Sequence, residues 1–81
     1  MKSRTADEKF LIALYKIASE SGDPHSNVDY RKVLRQIAQK ETAGKTIMKH
    51  LAQANFIKKF DDPIIALTAH GMKIALEIEA S

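Results

Sequence analysis

The chain has 81 residues, no cysteine, 44% hydrophobic residues and a formal net charge of +3 at neutral pH. This length predicts one small domain over residues 1–81, and the missing cysteines exclude disulfides and thiolate-ligated metals. The start of the chain is charged, and the apolar run that follows, Phe10 to Tyr15, is too short for a signal sequence or a membrane span. We therefore expect a cytoplasmic protein without a membrane segment.

The first predicted element is a helix from about Ala6 to Ser21, which Thr5 and Glu8 would open as a capping box. Its inward stripe consists of Phe10, Leu11, Leu14, Ile17 and Ala18, and Ile12, Ala13 and Tyr15 widen it. A helix with so much apolar surface is expected to be covered on two sides. We predict a homodimer contact through Phe10, Ile12 and Tyr15, with help from the last helix.

Gly22 and Pro24 end this helix, and Asp29 is the predicted N-cap of a second one. Val28 and Val33 occupy the positions of a hydrophobic staple around that cap. The residues expected to face the core are Val33, Leu34, Ile37 and Ala38.

The stretch from Gln39 to Thr42 interrupts the apolar periodicity, and we predict a reversal of the chain near Lys40–Gly44. Thr42 can cap a new helix, and Gly44 weakens a continuous one by about 1 kcal/mol. One unbroken helix from Tyr30 to Ala54 is the alternative. It would place Glu41 and Gly44 on the buried stripe.

The third helix is predicted over Ala43–Ala54, with Ile47, Leu51 and Ala54 facing inward and Asn55 ending it in a left-handed conformation. A β-hairpin follows, formed by Phe56–Phe60, the turn Asp61-Asp62-Pro63 and a strand over Ile64–Leu67. Thr68 then caps a last helix from about Ala69 to Ala80. The inward residues of that helix are predicted to be Met72, Ile74, Ala75 and Ile78.

Positive charge is concentrated in the middle of the chain. Between Tyr30 and Phe60 there are eight basic residues and one acidic residue, Glu41, whereas the two flanking segments are weakly acidic. Such a distribution favours a surface that binds a polyanion, although a run of charges is often no more than a solvated face.

Two segments resemble a known superfamily. Thr46–Leu51 followed by Ala54–Ile57 is similar to the recognition helix and first wing strand of small bacterial regulators of the MarR, ArsR and PadR kind. Ile65–Gly71 resembles their second wing strand and closing helix. The resemblance implies a winged helix-turn-helix: mainly α with a small β-hairpin, built from a three-helix core, a two-stranded wing and a C-terminal helix. Such regulators usually have glycine where this chain has Asn55.

The resemblance also implies sequence-specific or general binding of double-stranded DNA by a homodimer, in transcription regulation, with helix 43–54 in the major groove. The implied contacts on that helix are Lys45, Thr46, Met48, Lys49 and Gln53. Those on the second helix are Arg31, Lys32 and Arg35, and those on the first wing strand are Lys58 and Lys59. Lys45, Lys49 and Gln53 share one helix face, opposite Ile47 and Leu51.

A second hypothesis is a winged-helix protein-protein interaction module that does not bind DNA. The acidic wing tip at Asp61 and Asp62 favours it, because phosphates repel carboxylates, and so does Met48, which reads no hydrogen-bond pattern. A domain from a mobile element or a toxin–antitoxin-like regulator is a third possibility that the sequence does not address.

No catalytic motif is present. No nucleophile is coupled to a base, there is no glycine-rich phosphate loop, and His25, His50 and His70 lack paired metal spacing. Phe10, Tyr15, Tyr30, Phe56 and Phe60 are expected to be core or interface residues. We predict no enzymatic activity, no cofactor, no metal and no small-molecule ligand.

Overall fold

The computed structural model describes residues 4–81, and the first three residues of the charged start lie outside this range. Within it the elements are α1 (Ala6–Glu20), β1 (Val28–Asp29), α2 (Tyr30–Gln36), α3 (Glu41–Gln53), β2 (Ile57–Lys59), β3 (Ile64–Leu67) and α4 (Ala69–Ala80). Helices packed on a small antiparallel sheet in this order form a winged helix-turn-helix, so the predicted fold class is confirmed.

The start of α1 is fixed by the capping box that the sequence predicts. The Thr5 hydroxyl accepts a hydrogen bond from the Glu8 amide at 3.1 Å, and the Thr5 amide donates to Glu8 Oε1 at 2.8 Å. Two amides that would otherwise lack a partner in the first turn are thereby satisfied. At the other end, Gly22 takes a φ of 101°, a conformation that glycine adopts without a steric penalty.

The sheet contains one strand more than the predicted hairpin. β2 and β3 pair antiparallel, with Ile57 opposite Leu67. β1 pairs with the other edge of β3, with Val28 opposite Ile65, so the strand order is β1-β3-β2. A two-residue strand has no alternation that a sequence pattern could reveal. Its position matters because it joins the wing to the start of α2.

The first turn of α2 has the predicted cap. The Asp29 carboxylate accepts a hydrogen bond from the Arg31 amide at 2.9 Å. The Tyr30 amide donates to the carbonyl oxygen of Pro63, in the wing turn, at 3.1 Å. The helix-turn-helix and the wing therefore share a direct backbone connection.

The chain reverses between α2 and α3, as predicted, and the alternative of one unbroken helix is wrong. The reversal begins earlier than expected, because α2 ends at Gln36. Ala38, which we expected in the core, is exposed and has a φ of 57°. The Gln39 amide donates to the Leu34 carbonyl at 2.9 Å and the Ala38 amide to the Arg35 carbonyl at 3.3 Å, which is a Schellman ending.

The start of α3 also differs from the expectation. The helix begins at Glu41, after an N-cap residue, Lys40, whose side chain makes no capping hydrogen bond. Thr42 is therefore not the cap but lies in the first turn. Glu41 in that turn suits the positive end of the helix dipole.

A glycine lets α2 and α3 approach closely. Gly44 is buried, and a Cβ atom at this position would lie about 2.6 Å from Cδ2 of Leu34. Ile47 and Leu51 face the core as predicted, whereas Ala54, expected inward, is exposed as the C-cap residue. Close packing of the two helices holds the exposed face of α3 in a fixed direction.

The last helix begins and packs as predicted. Thr68 Oγ1 accepts from the Gly71 amide at 2.9 Å and donates to the carbonyl oxygen of Asn55 at 2.6 Å. Asn55 has the expected left-handed backbone, with a φ of 68°. Of the inward residues, Ala75 is fully buried, and Met72, Ile74 and Ile78 are half-buried against the same core that Phe10, Leu14 and Val33 fill.

Candidate nucleic-acid interface

The outward face of α3 carries the polar side chains that the sequence places there. Lys45, Thr46, Lys49 and Gln53 are all exposed, and Lys45, Lys49 and Gln53 follow one another at a spacing of one turn. Ile47 and Leu51 lie on the opposite, buried side. Two ammonium groups and an amide thus form a line along the helix, available to phosphates and to base edges in a groove.

Met48 does not belong to this face, and the prediction that it points outward is wrong. Its side chain is only 5% exposed and belongs to the core. The buried stripe of α3 is wider than the Ile47 and Leu51 positions alone indicate, because the wing packs beside the helix. Met48 therefore offers little exposed surface for a base contact or a protein contact.

The three cations of α2 are exposed, but they are not equivalent. Arg31 binds the carboxylate of Asp29, with Nη2 2.7 Å from Oδ2 and Nε 3.0 Å from Oδ1. Hydrogen bonds from Arg31 lower the pKa of Asp29 to about 2. Lys32 and Arg35 have no carboxylate partner in the part of the chain that the structure describes, so their charges are less neutralised than that of Arg31.

The two lysines of β2 lie on opposite faces of the sheet. Lys59 shares a groove of about 300 Å³ with Lys45 of α3, and Met48, Phe60 and Asp62 also line it. We call this the wing groove. Lys58 instead lines a hollow of about 550 Å³ on the outer face of the sheet, together with His25 and His70. We call this the outer hollow. Of these two lysines, only Lys59 is therefore brought together with α3.

The wing tip brings negative charge close to this groove. Asp62 and Tyr30 both line the groove. Burial of the Tyr30 phenol raises its pKa, and the negative charges of Asp62 and Glu41 raise it further. Two lysines and one carboxylate thus line the wing groove. The lysines favour binding of an anion there, whereas the carboxylate of Asp62 opposes it.

Phe60 was not among the predicted contact residues, since we expected it in the core or an interface. Its side chain is 52% exposed and lines both the wing groove and the outer hollow. The alternation of side chains along this segment would have predicted that Phe60 is exposed. Phe60 directly follows β2 and is two residues after Lys58, so it continues the same outward row.

Two of the three predicted dimer residues have little surface to offer. Phe10 is 0% exposed and Ile12 is buried, whereas Tyr15 is half-buried. The wide apolar surface of α1 is covered largely by its own chain, including α4, whose Glu79 lies 3.3 Å from the Lys16 ammonium. Phe10 and Ile12 therefore have little free surface for the predicted dimer contact.

The histidines have local partners. His50 Nδ1 lies 3.3 Å from Asp7 Oδ2, which connects α3 to the start of α1, and His25 Nδ1 lies 2.8 Å from the Leu67 carbonyl oxygen. The ring of His70 packs on Phe56, with centroids 5.0 Å apart. Residues 4–81 contain no cluster of three or more potential metal ligands, and no helix among them is long and apolar enough to cross a membrane.

Comparison with known proteins supports the fold. No protein-family model and no curated protein sequence matches the chain. Among solved structures, the chain is similar to the crystal structure of NadR in complex with 4-hydroxyphenylacetate, with a TM-score of 0.68 and 21% sequence identity. The likeness covers 94% of this chain and 53% of the NadR chain, so this chain spans about half the length of that neighbour.

Proposed function

We propose that the protein binds double-stranded DNA in transcription regulation, with α3 in the major groove. The observation that carries this proposal is the exposed line of Lys45, Lys49 and Gln53 on α3, with Lys59 across the wing groove. Helix-turn-helix proteins read bases from such an exposed helix face and hold the backbone with surrounding cations. The resemblance to bacterial regulators points the same way, and we propose a cytoplasmic, non-enzymatic role.

The surrounding cations supply the electrostatic part of the affinity. The proposed phosphate contacts are Lys32, Arg35, Lys45, Lys49, Lys58 and Lys59. Arg31 contributes less, because Asp29 already neutralises its charge. Six phosphate contacts give a log–log dependence of affinity on salt with a slope of about −5.

We further propose that a homodimer binds two half-sites about one helical turn apart. Dimerisation would stabilise a domain of 81 residues, whose own core is small. Tyr15 is the predicted interface residue that retains exposed surface, and α4, which lies against α1, offers the exposed side chain of Leu76.

A protein-interaction module is the second candidate function. The exposed Phe60 ring and the carboxylates of Asp61 and Asp62 at the wing tip favour it, because phosphates would be repelled there. Met48, which supported this hypothesis in the sequence, no longer does, since it is buried.

Titration of fluorescently labelled random duplex DNA at two salt concentrations tests the proposal. Lys45→Ala combined with Lys49→Ala should weaken binding and make the salt slope shallower by about two units, because two phosphate contacts are lost. Lys49→Ala and Lys73→Ala each remove one positive charge, but Lys73 is an exposed residue of α4 and not of α3. Equal effects of these two single variants, or no binding by the unmodified protein, would contradict the proposal.

A further inference from the structure

The outer hollow brings together side chains that the proposed DNA interface does not use. Its volume of about 550 Å³ is within the range typical of small-molecule sites, roughly 300–1,000 Å³. In the part of the chain that the structure describes, no carboxylate lines the outer hollow, whereas Asp62 lines the wing groove. The sequence predicts no small-molecule ligand, but this hollow is formed by segments that are far apart in the chain, including the α1–β1 loop and the turn after α3.

Hydrogen bonds hold the walls of the outer hollow in place. His25 Nδ1 donates to the Leu67 carbonyl oxygen at 2.8 Å, and Thr68 Oγ1 donates to the Asn55 carbonyl oxygen at 2.6 Å. The α1–β1 loop and the turn after α3 are therefore both attached to the end of β3. Because a carbonyl oxygen only accepts, a neutral His25 carries its proton on Nδ1 and keeps Nε2 as an acceptor. Walls that are ordered in advance lose little conformational entropy when a ligand enters.

Asn55 indicates what kind of ligand the outer hollow takes. Its φ of 68° is in the left-handed region, where glycine has no steric penalty and where the regulators that this chain resembles usually have glycine. Its side chain is exposed and lines the outer hollow, so core packing does not require it. A residue other than glycine in this conformation points to a role for its side chain. An asparagine amide offers a donor and an acceptor, which match the edge of a nucleobase.

Two further side chains complement the rest of a nucleotide. Phe60 is 52% exposed, and its backbone is fixed because its amide donates to the Ile64 carbonyl oxygen at 2.9 Å. An exposed aromatic face can stack on any base. Lys58 lines the same hollow and supplies a positive charge for a phosphate.

We propose that the outer hollow binds a nucleotide, with the base on the Phe60 ring, its edge hydrogen-bonded to Asn55 and its phosphate near Lys58. A free mononucleotide and an unpaired nucleotide of a single strand both present this chemistry. The outer hollow and the wing groove lie on opposite faces of the sheet. The proposal is therefore independent of duplex binding by α3 and goes beyond the proposed function.

Heteronuclear NMR titration of the unmodified chain tests the proposal. The ligands are AMP, GMP, CMP and UMP, adenosine and inorganic phosphate as parts of a nucleotide, and a short single-stranded oligonucleotide. We expect saturable shifts at the residues that line the outer hollow, with tighter binding of nucleotides than of adenosine or phosphate. Tighter binding of the oligonucleotide there supports the site and identifies a single strand as the source, and tighter binding of a mononucleotide supports it and identifies a free nucleotide. No saturable shift with any of these nucleotides or the oligonucleotide, or shifts confined to α3 and the wing groove, overturns the proposal.

Variants assign the binding to these side chains. Asn55→Gly keeps the left-handed backbone, so thermal unfolding should show an intact fold, while nucleotide binding should weaken about tenfold as the amide hydrogen bonds are lost. Phe60→Ala should have a similar effect, because it removes the stacking. Lys58→Ala should abolish the preference for AMP over adenosine, whereas Lys59→Ala, the same change on the opposite face, should retain it. Unchanged binding by Asn55→Gly and Phe60→Ala, or equal effects of Lys58→Ala and Lys59→Ala, overturns the proposal.

Discussion

Asp29 accepts hydrogen bonds from both the backbone amide and the guanidinium of Arg31, at 2.9 and 2.7 Å. One carboxylate thus caps α2 and neutralises the first cation of that helix. These two roles can be separated, because asparagine is as good an N-cap as aspartate but carries no charge. Asp29→Asn is therefore an informative substitution for both binding and stability.

For binding, we expect Asp29→Asn to increase affinity for duplex DNA. Arg31 would lose its carboxylate partner and become available to a phosphate, which should steepen the salt slope by about one unit. Titration at several salt concentrations measures this slope. The double variant Asp29→Asn/Arg31→Ala is the control and should lose the added slope; an unchanged slope in the single variant would mean that Arg31 lies outside the interface.

The pair of Asp29 and Arg31 also predicts that the stability of the protein depends on pH. The pKa of Asp29 is about 2 in the folded protein, below its ordinary value of 3.8. The unfolded state therefore binds more protons between these values, so this contribution to stability is present above about pH 4 and is lost as the pH falls towards 2. Urea unfolding of the unmodified protein and Asp29→Asn between pH 2 and pH 6 tests this. A difference in unfolding free energy that does not shrink at low pH would refute it.

Substitution of Ala38 by glycine should increase the stability of the protein. Its φ of 57° costs an L-residue roughly 1–2 kcal/mol, and its exposed side chain makes no core contact to lose. After the greater chain entropy of glycine is subtracted, Ala38→Gly should stabilise the protein by about 0.5–1 kcal/mol. Chemical denaturation measures the change. Ala54→Gly is the matched control: this exposed alanine has a φ of −83°, so glycine should bring no gain there.

Gly71 should tolerate alanine less well than Gly44. A Cβ atom at Gly71 would collide with the Phe56 carbonyl oxygen, a backbone atom, whereas one at Gly44 would meet the end of the Leu34 side chain. Backbone cannot yield as a side chain can, so we expect Gly71→Ala to cost roughly 2 kcal/mol or more and Gly44→Ala about 1 kcal/mol. Unfolding midpoints of the two variants give the comparison, and the reverse order would show that the α2–α3 packing is the tighter one.

The elements that the sequence predicts well are those with local causes. Thr5 and Thr68 cap their helices through atoms three residues away, and Asn55 ends α3 in a conformation that asparagine tolerates. Each of these features depends on only a few neighbouring residues, so the sequence predicts it directly. The order of the helices and hairpin strands follows from these features, and that order predicts the fold class.

The errors arise where packing overrides a local pattern. Ile37 packs against the core as expected, but Ala38, which continues the apolar period, is exposed. The helix has already ended at Gln36, in a Schellman turn that forms without the glycine usually found there. Met48 is at an outward position of the predicted helix, but its side chain is buried in the core. The exposed lysines of the candidate site were predictable from α3 alone, whereas the wing groove depends on how two separate segments pack.

The backbone hydrogen bond from Tyr30 to Pro63 has a consequence for the shape of any target. Together with β1 it ties the wing to α2, so that the two parts of the proposed interface cannot adjust independently. A DNA duplex that contacts both the wing and the helix-turn-helix would therefore have to bend to fit the protein, rather than the protein changing shape to fit the DNA. Sequences that bend easily would then be favoured even at base pairs that no side chain touches.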